Sequence, residues 1–226
     1  MNMMRVLARL LILVSVPVVL FGCGGGGSGG DESAASKTRM LQPGDSWTYD
    51  VSGHPLNNQT SSYSGTMTIS ITQETLNGES VLAATSIPNI TFGGSSTTTS
   101  VPAVQYYQQD PSTGDILVYG RKEGNKPVAT VTDRPLPVIW PGSWEAGKTV
   151  SVNIHYSDGS TDTGTYTVVG QEAVTTSAGT LSAWKLSFGS GSVSGTSWFV
   201  PQLGYYAKNE NSVGTSDLRS TTVTGF

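Results

Sequence analysis

Between Met40 and Phe226 the apolar residues recur at every second position, and this period constrains the chain more than any other feature. In "TVSVNIHY" Val150, Val152, Ile154 and Tyr156 fall on one side, with Thr149, Ser151, Asn153 and His155 on the other. In "TMTISI" Met67, Ile69 and Ile71 alternate with Thr66, Thr68 and Ser70, and in "AWKLSF" Trp184, Leu186 and Phe188 alternate with Lys185 and Ser187. Successive side chains of a strand point to opposite faces, so this pattern is that of half-buried antiparallel sheet. Asn77-Gly78 and Asp158-Gly159 supply the turn chemistry of tight hairpins. No stretch long enough for a helix carries a helical stripe. The expected fold is all-β: an antiparallel β-roll, open barrel or sandwich of roughly ten to twelve strands at ordinary strand lengths.

The two halves of this region resemble each other. Gly65–Ile87 and Gly164–Phe188 each hold Gly-Thr, an alternating strand, a glutamate, a turn and a second alternating strand. A pair of duplicated hairpin units would produce this, and so would chance in a chain rich in Thr and Gly.

The first residues are of another kind. Arg5 and Arg9 precede "LLILVSVPVVLFG", an apolar run from Leu10 to Gly22 broken only by Ser15 and Pro17. A membrane-spanning helix needs about 20 apolar residues, whereas a positive start and a shorter run mark an export signal. The only cysteine, Cys23, follows at once, and Leu20-Phe21-Gly22-Cys23 resembles the lipobox of bacterial lipoproteins. The resemblance implies cleavage between Gly22 and Cys23, acylation of Cys23, and a bilayer as the protein's first partner. Gly24 stands where an aspartate would retain such a protein at the inner membrane, so the outer membrane is implied, on its periplasmic face or at the surface. Residues 1–22 are then the signal peptide, 23–39 a Gly/Ser-rich tether, and 40–226 one β-rich domain.

Without residues 1–22 the chain keeps 10 of its 12 Lys and Arg against all 16 Asp and Glu, since Arg5 and Arg9 are lost and no acid is. That acidic balance argues against nucleic acid as a partner. Inside the tether, Gly26-Gly27-Ser28-Gly29-Gly30 matches the hydrolase elbow, but the motif needs a strand before it and a helix after it. His54 lies in the turn "SGHPLNN", and His155 points away from its strand's apolar side. Zinc needs three or four clustered ligands, and none are in view. Asp158 and Asp162 flank "DGSTD", which lacks the ligand count of a calcium loop. The reading therefore calls for no catalytic residue, metal or cofactor.

A second resemblance rests on "GDSWTY" (residues 44–49) and "SWFVPQLGYYAK" (residues 197–208), in which Trp198, Phe199, Pro201, Gly204 and Lys208 fit the ending of exported TapB-like bacterial proteins. It implies an antiparallel β-roll or open barrel and brings no catalytic residues.

Aromatic residues are the suggestive feature. Tyr106-Tyr107, Trp198-Phe199 and Tyr205-Tyr206 are adjacent, and neighbours in a strand face opposite ways. One ring of each pair must leave the main core, either beneath a second cover or into solvent. Tyr107, Trp144 and Tyr206 are accordingly candidates for an exposed face that binds a protein or glycan. A non-catalytic binding or envelope-assembly role is expected, against a carbohydrate-acting enzyme or a carrier of lipid or another hydrophobic ligand.

Overall fold

The computed structural model describes residues 37–55, 61–93, 98–99 and 101–225. Among these there is no helix. Fourteen strands follow one another: β1 (Ser46–Gly53), β2 (Tyr63–Leu76), β3 (Glu79–Phe92), β4 (Thr98–Thr99), β5 (Ala103–Gln109), β6 (Ile116–Glu123), β7 (Ala129–Thr130), β8 (Val138–Trp140), β9 (Thr149–His155), β10 (Thr161–Thr176), β11 (Gly179–Ser190), β12 (Val193–Val200), β13 (Tyr205–Asn211) and β14 (Gly214–Thr221). β4, β7 and β8 have two or three residues each, which is why the count exceeds the expected ten to twelve.

All fourteen join one antiparallel sheet of order β7-β6-β5-β3-β2-β1-β14-β13-β12-β11-β10-β9, with β4 beside β3 and β8 beside β6. The chain thus draws two meanders, β1 to β7 and β9 to β14, and the β1–β14 pairing joins its beginning to its end. The Gly65–Ile87 and Gly164–Phe188 segments fall in the β2–β3 and β10–β11 hairpins, the second and third strands of their respective meanders. At the β2–β3 turn Asn77 and Gly78 have φ of 52° and 82°, the left-handed values a two-residue hairpin needs.

The open sheet curls until its edges meet at one point. Val131, just past β7, forms an isolated antiparallel bridge with Tyr156, just past β9. Beside it Thr132 N–H donates to the His155 carbonyl at 2.9 Å, and Ser157 N–H to the Thr130 carbonyl at 2.8 Å.

The enclosed face holds one large apolar cluster. Val150, Val152, Ile154 and Tyr156 are buried in it, as are Met67, Ile69 and Ile71, while Asn153 and His155 are exposed. Of the β11 set Leu186 is buried, but Trp184 and Phe188 are half-buried at the cluster's margin. A bulge at Val168–Gly170 of β10 lies opposite Leu186 and Lys185, and bulges turn a strand locally.

A second, small cluster covers the outer face of β3, β5 and β6, where Val81, Ala83, Tyr106 and Tyr119 pack with Val128 and Leu136. Its lid is the proline-rich stretch between β6 and β8. The fold also takes up Thr38 and Arg39 from the expected tether. Thr38 is buried and donates its N–H to the Gly142 carbonyl at 2.9 Å, and Arg39 N–H reaches the Pro201 carbonyl at 2.9 Å. Cys23, Gly22 and the rest of residues 1–36 lie outside the described residues.

Candidate binding surface

Tyr107, Trp144 and Tyr206, expected to present an exposed aromatic face, are instead buried at 1%, 4% and 4% exposure. They belong to one aromatic cluster at the centre of the curled sheet. Trp140 is its hub, with centroids 5.6 Å from Tyr107, 5.5 Å from Phe199, 5.2 Å from Tyr205 and 5.5 Å from Tyr206. Its indole N–H donates to Tyr206 Oη at 2.9 Å. Trp144 stacks on Phe199 at 4.6 Å and donates its N–H to Thr38 Oγ1 at 3.0 Å. These rings do not form the expected exposed aromatic face, because the sheet curls far enough to enclose them, although Tyr107 also borders a surface groove.

The other member of each pair shows where the second rings go. Tyr106 lies in the outer cluster under Leu136 and Val128. Tyr205 turns inward beside Tyr206 and stacks on Trp47 at 4.9 Å, while Tyr49 Oη–H donates to the Tyr206 carbonyl at 2.7 Å. The two landmark segments, "GDSWTY" and "SWFVPQLGYYAK", therefore meet in the core. Within the second segment Gly204 has φ of 66°, and a Cβ there would stand 2.8 Å from Leu41 Cδ2. The left-handed backbone favours glycine there, and a Cβ would also displace the Leu41 methyl.

Trp198 faces outward but is not bare. Lys185 and Lys208 place their Nζ atoms 5.6 and 5.5 Å from its ring centroid, and its N–H donates to Glu172 Oε1 at 2.7 Å. Glu172 also pairs with Lys185 at 3.1 Å. The Trp198 hydrogen bond, followed by that of Lys185, holds the Glu172 carboxyl below the ordinary glutamate range. Cation–π contact with the two lysine ammonium groups covers the indole.

Charged side chains gather at the seam where the sheet edges meet. Arg121 of β6 reaches Asp162 Oδ2 of β10 at 2.6 Å and Ser160 Oγ at 2.9 Å, and its guanidinium lies 4.2 Å from the Tyr156 ring centroid. Tyr156 Oη–H donates to Asp162 Oδ2 at 3.0 Å. Burial first, then the Asp162 charge, pushes the Tyr156 hydroxyl well up, so it stays protonated. His155 Nδ1 lies 2.9 Å from Asp133 Oδ1, and the His155 backbone N–H donates to Asp133 Oδ2 at 2.7 Å. That backbone bond is the main reason the Asp133 carboxyl sits below its ordinary range. Asp158 accepts from the Ser160 N–H and hydroxyl, a turn-closing role. Asp158 and Asp162 thus serve separate partners, and no group of three His, Cys, Asp or Glu residues converges among the described residues. This cluster fastens the seam.

Among the described residues two grooves offer places for a ligand. One, of about 610 Å³, lies beside Met40, Leu41, Pro43, Tyr107, Gln108 and Leu117, at the end where the chain enters the fold. Gln109, on its rim, donates to the Arg39 carbonyl at 3.0 Å and accepts the Leu41 N–H at 2.8 Å, pinning the entering chain. The other, of about 490 Å³, is at the far end of β1, lined by Ser52, Gly53, His54, Ser62, Tyr63, Ser64, Thr91, Phe92, Gly93, Gly214 and Thr215. Its aromatic floor is Tyr63 against Phe92, with centroids 6.2 Å apart. Gly53 and Gly214, paired across β1 and β14, leave room for the Tyr63 hydroxyl. A Cβ on either would lie 2.8 or 2.6 Å from that oxygen. Burial raises the pKa of the Tyr63 hydroxyl.

The Tyr63–Phe92 floor was not singled out by sequence reasoning. The two residues are 29 positions apart and are brought opposite each other only by the β2–β3 register. A usable signal was present in the glycines at strand positions 53 and 214, which mark close approach of another group.

No family model matches the chain, and no curated protein matches it in sequence. Two solved structures are similar to it. One is a candidate exported protein with a YmcC-like fold from Bacteroides fragilis, at 10% identity, TM-score 0.34, over 83% of this chain and 99% of that one. The other is a candidate lipoprotein from Parabacteroides distasonis, at 12% identity, TM-score 0.36, over 84% and 100%.

Proposed function

We propose that this is an exported lipoprotein, held to the outer membrane through acylated Cys23, whose groove at the Tyr63–Phe92 end binds a glycan without catalysis. The observation that carries the reading is the placement of the two ends. The chain enters the fold at Thr38 and Arg39, where Arg39 pairs with Asp45 just before β1, and the groove opens at Gly53, seven positions on from Ser46. At about 3.3 Å per residue the groove is more than about 20 Å from the end of β1 at which the chain enters, so an anchor attached there leaves it uncovered. An aromatic floor ringed by Ser and Thr hydroxyls supplies stacking and hydrogen bonds together, the combination sugar rings use. The groove's lining includes no Asp or Glu, so the paired carboxylates of a glycosidase are not at this place. The interior favours no lipid carrier either, because interlocked rings fill it.

Two measurements test the two parts. Cys23→Ser should move the protein from the membrane to the soluble fraction and abolish palmitate labelling; a variant still membrane-bound removes the anchor. The full-length protein should retain glycans on an array, and Phe92→Ala should lose that retention while still melting cooperatively. Retention unaffected by the substitution, or none by the parent, removes the groove reading.

A further inference from the structure

The sheet's two edges are finished differently. The β7–β8 edge carries Asp133, Arg134, Pro135 and Pro137 between its two short strands. Prolines and charges are what proteins place on an edge to prevent another strand from adding to it. The β9 edge, Thr149 to His155, has neither a proline nor a formal charge, and it is rich in β-branched residues.

Register shows which backbone groups of β9 are unspent. Tyr156 N–H donates to the Ser160 carbonyl and Val168 N–H to the Lys148 carbonyl, so the even-numbered residues are those that exchange bonds with β10. In an antiparallel pair the alternate residues direct N–H and C=O the other way. The His155 groups are spent on Asp133 and Thr132. Thr149, Ser151 and Asn153 are left with donors and acceptors pointing out from the sheet, where β9 has no second strand beside it.

The geometry points to a second copy of this chain as the occupant, pairing β9 with β9 about a two-fold axis at Ser151. In that register Ser151 faces Ser151 of the other copy, and Thr149 faces Asn153. Charge favours self-pairing over a generic strand. Lys148 is exposed at one end of β9 and has no ion-pair partner among the described residues, while Asp133 and Asp158 stand at the other end. Antiparallel pairing brings each Lys148 toward the acidic end of the other β9. The result is a continuous sheet across two curled domains, an isologous contact that closes on itself.

Cross-linking of the full-length protein in detergent tests this. Directly opposed residues in a bonded antiparallel pair have Cα atoms about 5.5 Å apart, inside the about 4.4–6.8 Å span of a disulfide. Ser151→Cys should therefore give a covalent dimer under mild oxidation, with peptide mapping placing the bond between the two 151 positions and not at Cys23. Thr91→Cys, exposed on β3, should give no such species. In the Ser151→Cys background, Asn153→Pro removes an outward N–H without taking a bond from β10, and should cause loss of the dimer with the melting temperature retained. Lys148→Glu, which leaves the backbone intact, should also weaken the dimer. A 151–151 bond no more abundant than the Thr91→Cys background, or one that survives both added substitutions, overturns the proposal.

Discussion

Trp198 shows how one side chain can be outward-facing and still dry. Its indole is roofed by Lys185 and Lys208 from the flanking strands and spends its only donor on Glu172. Because that donor favours the charged carboxylate, the Glu172 pKa is depressed in the fold. A depressed carboxylate contributes stability that is present above its unfolded value, about 4.3, and lost as pH falls through the folded one. Titration followed by NMR should find Glu172 below the ordinary range, and Trp198→Phe should move it back up. The same variant should show a shallower loss of stability on acidification below about pH 4.3. An unmoved Glu172 titration would mean that Lys185 alone sets it. The landmark motif around Trp198 thus has a packing explanation and needs no ligand.

At the scale of the strand, β9 carries the clearest test. Ile154 is wholly buried, and Asn153 beside it is exposed on the opposite face. Ile154→Ala should cost about 2–5 kcal/mol in denaturant unfolding, because the methyl groups it removes leave a cavity in a packed interior. Asn153→Ala should stay within about 0.5 kcal/mol. Comparable costs at the two positions would overturn the assignment of faces. The aromatic pairs were harder to place from sequence for a reason visible at this scale. Tyr106-Tyr107 and Trp198-Phe199 each straddle a bulge, and each needs a separate cover for the ring that leaves the core. In the first pair the cover is Leu136 and Val128, residues outside any regular strand.

For the whole molecule, the decisive contact is β1 against β14, which ties the first strand to the last. Leu218 of β14 is fully buried, and Tyr49 of β1 reaches Tyr206 next door. A chain truncated after Val213 loses the partner of β1 and opens the sheet at its middle; it should show neither near-ultraviolet dichroism nor a cooperative melt. A cooperative melt in that truncated chain would show that the two meanders fold without being joined. The alternation of Val, Ile, Thr and Ser by itself determined that this chain forms antiparallel sheet and which face of β2 and β9 is apolar, and Asn77-Gly78 located a hairpin, since all of these depend on neighbours within a few residues. The proposed acylation of Cys23 is likewise a local reading, and it rests on residues outside the described structure. Only the tertiary structure decided that the sheet curls enough to bury Tyr107, Trp144 and Tyr206. It also joined Tyr63 to Phe92 and assembled the Arg121–Asp162 fastening. Curvature and closure are set by the summed twist of many strands and by contacts between residues far apart in sequence, and period-two alternation is the same in a flat sheet as in a closed one.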